Sequence, residues 1–272
     1  MDIVDRGNGV PLVLVPGVQG RWQYMGLAID ALAKFFRVIS FSLCGDRGSG
    51  CTFVESRGAD NFLDQIDRVL DDRKVSHAVI AGVSFGALIA LHYAAMRPRR
   101  SDGLVLVSTP GPHFQPERRH MWYTRAPRLF GPLFLAEIPF RVGQELPHTF
   151  ADSRTRRHFS WGQIKTFLDA PFSLTRMAAR ARLIGNQAER DASLVAAPTL
   201  LITGERELDR VVPVDGTLEY LQAIRDARWA PIQRTGHLGY ITRPDVFAAI
   251  VRDFVATLSL RRTSSEGDPH AA

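Results

Sequence analysis

Ser84 is the residue whose surroundings point most directly to chemistry. It stands in Gly82-Val83-Ser84-Phe85-Gly86, with a glycine two residues before it and another two after. Upstream, His77-Ala78-Val79-Ile80-Ala81 is a short apolar run of the kind a buried strand shows. Downstream, Ala87 to Arg97 is rich in helix formers and stops before Pro98. The serine is therefore expected on a sharp strand-to-helix turn, where small neighbours are needed because strand and helix nearly touch. The helix N-terminus then aims its amides at any negative charge that forms beside the hydroxyl. Gly-x-Ser-x-Gly is a weak signal by itself, so the weight falls on the serine's partners.

A serine hydroxyl is a poor nucleophile at neutral pH. It needs a base within hydrogen-bond reach and an acid that orients the base. In open α/β sheets such groups collect at the carboxyl ends of strands. Of eight histidines, His237 fits best, in the Gly-flanked loop Arg234-Thr235-Gly236-His237-Leu238-Gly239-Tyr240 after the last expected strand. His77 and His92 belong to the elements flanking Ser84. His113, His120, His148 and His158 fall in a mid-chain segment, and His270 is near the C-terminal end. For the acid, Gly204 to Pro213 follows another strand and offers Glu205, Glu207 and Asp209. Asp209 comes just before the apolar Val211-Val212-Pro213, which is expected to re-enter the fold and bury its carboxylate; Glu207 is the reserve.

These residues are set on an alternation of strands and helices, the pattern of a mostly parallel sheet covered on both faces. Strands are expected at Pro11–Val15, Arg37–Leu43, His77–Ala81, Gly103–Val107, Pro198–Thr203 and Ala227–Ile232, with room for about one more before Pro11. Helices are expected at Trp22–Phe36 (Leu27, Ala31 and Phe35 on one face), Asn61–Arg73, Asp215–Ile224 and Pro244–Leu258. From about His113 to Asp191 the alternation stops, and aromatics, prolines and arginines are scattered among helical patches. Residues 113–191 read as an insertion capping a core made of 1–112 and 192–260, and 261–272 read as a disordered tail.

Composition excludes several classes. No apolar run reaches the roughly 18 residues that cross a bilayer, and Met1-Asp2-Ile3-Val4-Asp5-Arg6 does not read as a signal peptide. The expected setting is the cytoplasm, without stable membrane insertion. The two cysteines, Cys44 and Cys51, cannot form a disulfide framework, no Cys/His cluster has zinc spacing, and a reducing compartment predicts both thiols free. Pro112 to Arg190 carries 12 Arg and 1 Lys against 4 Glu and 2 Asp, so its +7 exceeds the chain's +6 and leaves −1 elsewhere. The reading favoured for this segment is a solvated Arg-rich surface rather than a site for acidic partners; no nucleic-acid-binding motif is present.

The order Ser84, Asp209, His237, each on a loop after a strand, resembles the α/β-hydrolase superfamily from about Pro11 to Leu260. Asp209-Arg210-Val211-Val212-Pro213 is similar to that family's acid turn, and Gly236-His237 to its histidine loop. The resemblance implies an α/β-hydrolase fold, with a helical cap inserted where residues 113–191 lie. It also implies a Ser84–His237–Asp209 triad and an oxyanion hole made by the backbone N–H groups of Phe85 and of Val18, in Val15-Pro16-Gly17-Val18-Gln19-Gly20. Two departures stand out: Pro16 replaces the usual histidine, and Ser42-Leu43-Cys44-Gly45-Asp46-Arg47-Gly48 begins where relatives often have Asp. The implied activity is serine hydrolysis of a small ester, lactone, thioester or ketone-adjacent carbon–carbon bond, with no metal or organic cofactor. Trp22, Trp122, Tyr123, Phe159 and Trp161 are candidate pocket residues. A non-catalytic binding protein on the same fold, or an acyltransferase or cofactor-free perhydrolase with the same triad, are the alternatives.

Overall fold

A computed structural model describes residues 2–115, 118–184 and 188–266. Seven strands form one sheet in the order β1-β3-β2-β4-β5-β6-β7. They are β1 (Ile3–Arg6), β2 (Pro11–Val15), β3 (Arg37–Phe41), β4 (Ala78–Val83), β5 (Ser101–Val107), β6 (Thr199–Thr203) and β7 (Ala227–Pro231). β1 pairs antiparallel with β3 through Ile3↔Phe41, and all other pairings are parallel. The chain runs outward from β2 to β3 and then returns to the other side of β2 as β4. The carboxyl ends of β2 and β4 therefore flank a switch point, where open sheets leave a crevice.

Alternation along each strand splits the core in two. Val13, Val15, Ile80, Leu104, Leu106 and Leu201 face one side. There they meet the apolar faces of α2 (Asp60–Asp72) and α3 (Phe85–Met96). Leu12, Leu14, Val79, Val105 and Ile202 face the other side, covered by α1 (Gly26–Leu32) and the last helix. The expected face of the first helix is corrected. Leu27 and Phe35 are exposed, and Met25, Ala28, Ile29 and Leu32 are buried. A 3-10 turn over Trp22–Met25 precedes a helix that ends at Leu32, so Phe35 lies beyond it.

Among the described residues, the elements between β5 and β6 are all helices: α4 (Arg118–Arg125), α5 (Pro127–Val142), α6 (Leu146–Thr149), α7 (Ser153–Asp169), α8 (Leu174–Ala181) and α9 (Ala188–Leu194). After β6 come α10 (Val214–Leu218), α11 (Tyr220–Ala223), α12 (Gly239–Thr242) and α13 (Pro244–Glu266). Helix α13 thus continues into the segment expected as a tail; residues 267–272 lie outside the described residues. Among the described residues no helix is long and apolar enough to cross a membrane.

The expectation of two free thiols is overturned, because Cys44 and Cys51 form a disulfide with Cα atoms 5.1 Å apart. The loop after β3 doubles back, so that the Gly45 N–H donates to the Cys51 carbonyl at 2.9 Å. That fold-back brings the two Cα atoms within bridging range. Local loop geometry, which composition does not reveal, decided the pairing.

Candidate active site

Ser84 occupies the turn between β4 and α3 with φ 55° and ψ −119°, a left-handed backbone that costs a non-glycine residue of order 1–3 kcal/mol. Its flanking glycines make the turn possible. A Cβ at Gly82 would lie 2.2 Å from the Gly86 carbonyl oxygen, and one at Gly86 would lie 2.4 Å from both the Val15 and Pro16 carbonyl oxygens. The Ser84 N–H donates to the Val107 carbonyl at 2.8 Å, tying the turn to the end of β5. In the first turn of α3 the Phe85 amide has no intrahelical acceptor.

Asp209 and His237 meet on neighbouring loops. His237 Nδ1 lies 3.2 Å from Asp209 Oδ2. The other carboxylate oxygen accepts the N–H groups of Val211 at 3.0 Å and Val212 at 2.9 Å. The Asp209 side chain is 1% exposed, while Glu207 is exposed and Glu205 accepts the Arg234 N–H at 2.7 Å. Burial would raise the Asp209 pKa, but the His237 charge and hydrogen bond, with the two amides, hold it below the usual carboxylate range. For His237, burial favours the neutral ring; the charge and hydrogen bond of Asp209, joined by Glu145, outweigh it and raise its pKa. Ser84 Oγ makes no hydrogen bond to the imidazole among the described residues.

The loop after β2 brings Val18 alongside. The Gly17 carbonyl accepts from the Gly20 N–H at 2.8 Å. Because the peptide is planar and trans, the Val18 N–H lies on the opposite side of that unit. Arg180 of α8 donates to the Val18 carbonyl at 3.0 Å and to the Asp46 carboxylate in the loop after β3. Both charged side chains are almost wholly buried, and burial pushes Arg180 down and Asp46 up, each offset in part by the other's charge. Cys44 is buried, with its N–H bonded to Gln65 at 2.8 Å.

A cavity of about 680 Å³ opens over these loops. Val18, Ser84, Phe85 and Asp209 line its floor, and Tyr123, Phe134, Leu174 and Met177 of the helices between β5 and β6 line its walls. His237 is buried and does not itself line it. Of the five aromatic residues expected around a pocket, Tyr123 alone lines the cavity. Trp22 packs against the core. Phe159 is buried against Phe150 with ring centroids 5.3 Å apart. Trp122 and Trp161 are 60% and 66% exposed. The sequence reading missed Leu174, Met177 and Glu145; the last is the only acidic residue between Glu137 and Asp152, which is too faint a signal to read in advance. Among the described residues no group of three or more His, Cys, Asp or Glu side chains is placed to hold a metal ion.

Residues 12–250 match the model of the alpha/beta hydrolase family. The 2-hydroxymuconate semialdehyde hydrolase of Pseudomonas sp. (strain CF600) is 28% identical over 259 residues, covering 93% of this chain and 89% of the relative. Among solved structures, the enol-lactonase from Burkholderia xenovorans LB400 superposes with a TM-score of 0.74 at 21% identity, covering 93% of this chain and 95% of that one. A thermophilic esterase from Thermogutta terrifontis gives 0.73 at 22%, covering 94% and 93%. At these identities the two structures speak to the fold.

Proposed function

The chain belongs to the α/β-hydrolase family, and on that premise we propose that it is a serine hydrolase of small-molecule carbonyl compounds. The observation that carries the reading is the buried Asp209–His237 hydrogen bond beside a cavity on which Ser84 and Asp209 both open. In this reading His237 Nε2 takes the proton of Ser84 Oγ as the oxygen attacks the substrate carbonyl. Asp209 keeps Nδ1 protonated and stabilises the imidazolium. Hydroxyl and imidazole close to hydrogen-bond distance when substrate is bound, as is common for sites that are loose when empty. The oxyanion is held by the N–H groups of Phe85 and Val18, each worth about 3–4 kcal/mol. His237 then returns its proton to the leaving group as the bond to the carbonyl carbon breaks. Water, deprotonated by the same base, releases the acid from Ser84.

The helices between β5 and β6 act as a cap that walls the cavity with Tyr123, Phe134, Leu174 and Met177, which suits an apolar acyl group. Arg141 and Arg210 also line the cavity and suit a polar or acidic group on the substrate. The name of the sequence relative, a semialdehyde hydrolase, supports hydrolytic chemistry.

The test is covalent labelling by a serine-directed fluorophosphonate. Wild type is expected to label, and Ser84→Ala and His237→Ala are not. A folded wild type that fails to label overturns the reading. A p-nitrophenyl ester series of rising chain length then measures the depth of the apolar wall.

A further inference from the structure

A second carboxylate sits against the histidine loop, and it comes from the segment between β5 and β6. Glu145 lies just before α6 and is 1% exposed. Its two oxygens accept the N–H of Leu238, the residue after the base, at 3.2 and 3.1 Å. The same stretch is tied to the histidine loop twice more. Thr149 Oγ1 donates to the Arg234 carbonyl at 2.8 Å, and Arg234 Nε donates to the His148 carbonyl at 3.0 Å. Gly236 makes this approach possible, since a Cβ there would stand 2.6 Å from the Glu145 carboxylate and 2.3 Å from the Leu208 carbonyl oxygen.

No Lys or Arg bonds to Glu145 among the described residues. A buried carboxylate without a cation is costly. The charge has a use beside a ring that must become positive. We propose that Glu145 is a positioning residue of the triad. It clamps the Leu238 end of the histidine loop, and its charge favours the His237 imidazolium, so that the cap is part of the base. This rests on the serine-hydrolase reading above.

The electrostatics are consistent with that role. Burial, helped by the Asp209 charge, raises the Glu145 pKa to about 7 against the Leu238 and Gly236 N–H groups and the His237 charge. Glu145 in turn raises the pKa of His237. The other ionisable groups near this cluster are Tyr240 on α12, Arg141 on α5, Arg234 on the histidine loop and His148 on α6.

The measurement is the second-order rate of Ser84 labelling by the fluorophosphonate as a function of pH, for wild type, Glu145→Gln and Thr149→Val. The base must be neutral to act, so any charge that raises its pKa moves the acid limb to higher pH. E145Q removes one such charge. Its acid limb is expected about half a unit or more lower, and its plateau rate roughly three- to thirtyfold lower as the loop loosens. T149V removes a tether and keeps the charge, so its plateau is expected to fall with the acid limb unmoved. An E145Q limb that coincides with wild type overturns the proposal. If E145Q does not fold, Thr149→Val carries the test, and a T149V plateau equal to that of wild type overturns the clamp. If wild type itself does not label, the serine-hydrolase reading fails first, and the two failures stay distinct.

Discussion

At the scale of the residue, the candidate site depends on how three loops approach one another. Ser84 is held in a left-handed conformation because Gly82 and Gly86 leave no room for side chains between strand, helix and the loop after β2. Asp209 spends one oxygen on its own turn and the other on His237. That division predicts the effect of Asp209→Asn. The amide keeps an acceptor for the turn but loses the charge, and its NH₂ no longer accepts from Nδ1. kcat on a p-nitrophenyl ester is expected to fall about 10³–10⁴-fold with folding retained by circular dichroism. A loss of tenfold or less shows that Asp209 does not orient the base. Ser84, His237 and Asp209 could be chosen from the sequence because each follows an apolar run that fixes a strand end. Glu145 could not be chosen. Its importance comes from a contact across 93 positions, and nothing around it in the chain announces that contact.

At the scale of elements, α8 reaches the loop after β2 through one side chain. Arg180 spans from the cavity wall to the Val18 carbonyl and to Asp46, with the two charged side chains 3% and 4% exposed. Breaking such a pair from one side leaves a buried charge and costs about 3–5 kcal/mol. Arg180→Met is therefore expected to lower Tm on the order of 10 °C, and Arg180→Met with Asp46→Asn is expected to recover part of the loss. A single variant with wild-type Tm shows that the pair contributes nothing net. The strands are legible because each is a short apolar run, and α2 because its apolar residues recur at helical spacing. The helices between β5 and β6 are less so. Trp122 and Trp161, chosen as pocket aromatics, turn to solvent, while Leu174 and Met177 of the short α8 line the cavity. Hydrophobicity marks a helix here without telling which of its faces meets the core.

At the scale of the molecule, the buried Glu145 links stability to pH. Its pKa of about 7 in the folded chain stands above the ordinary 4.5. Between those values the folded state keeps a proton that the unfolded state has released, so stability falls as pH rises through the window. His237, also raised, works in the same direction, and E145Q keeps the part of that shift due to Asp209. Relative to E145Q, wild type is expected to lose on the order of a few degrees of Tm between pH 5 and pH 8. Parallel Tm-against-pH curves for the two proteins place the folded-state pKa of Glu145 near its ordinary value.

The sequence by itself determined the order of the core strands along the chain, the strand-to-helix turn at Ser84 and the loops bearing Asp209 and His237. Each of these is local: apolar periodicity, a glycine two residues away, a loop beginning where a strand stops. Only the tertiary structure decided how the fold-back after β3 joins Cys44 to Cys51, which carboxylate reaches the imidazole, and how Glu145 and Arg180 reach the loops of the sheet. Those are contacts whose energy depends on burial and distance in space, and burial is a property of the packed molecule. The candidate site was legible where strand ends fix it. It was hidden where a separate layer of helices is laid over those ends.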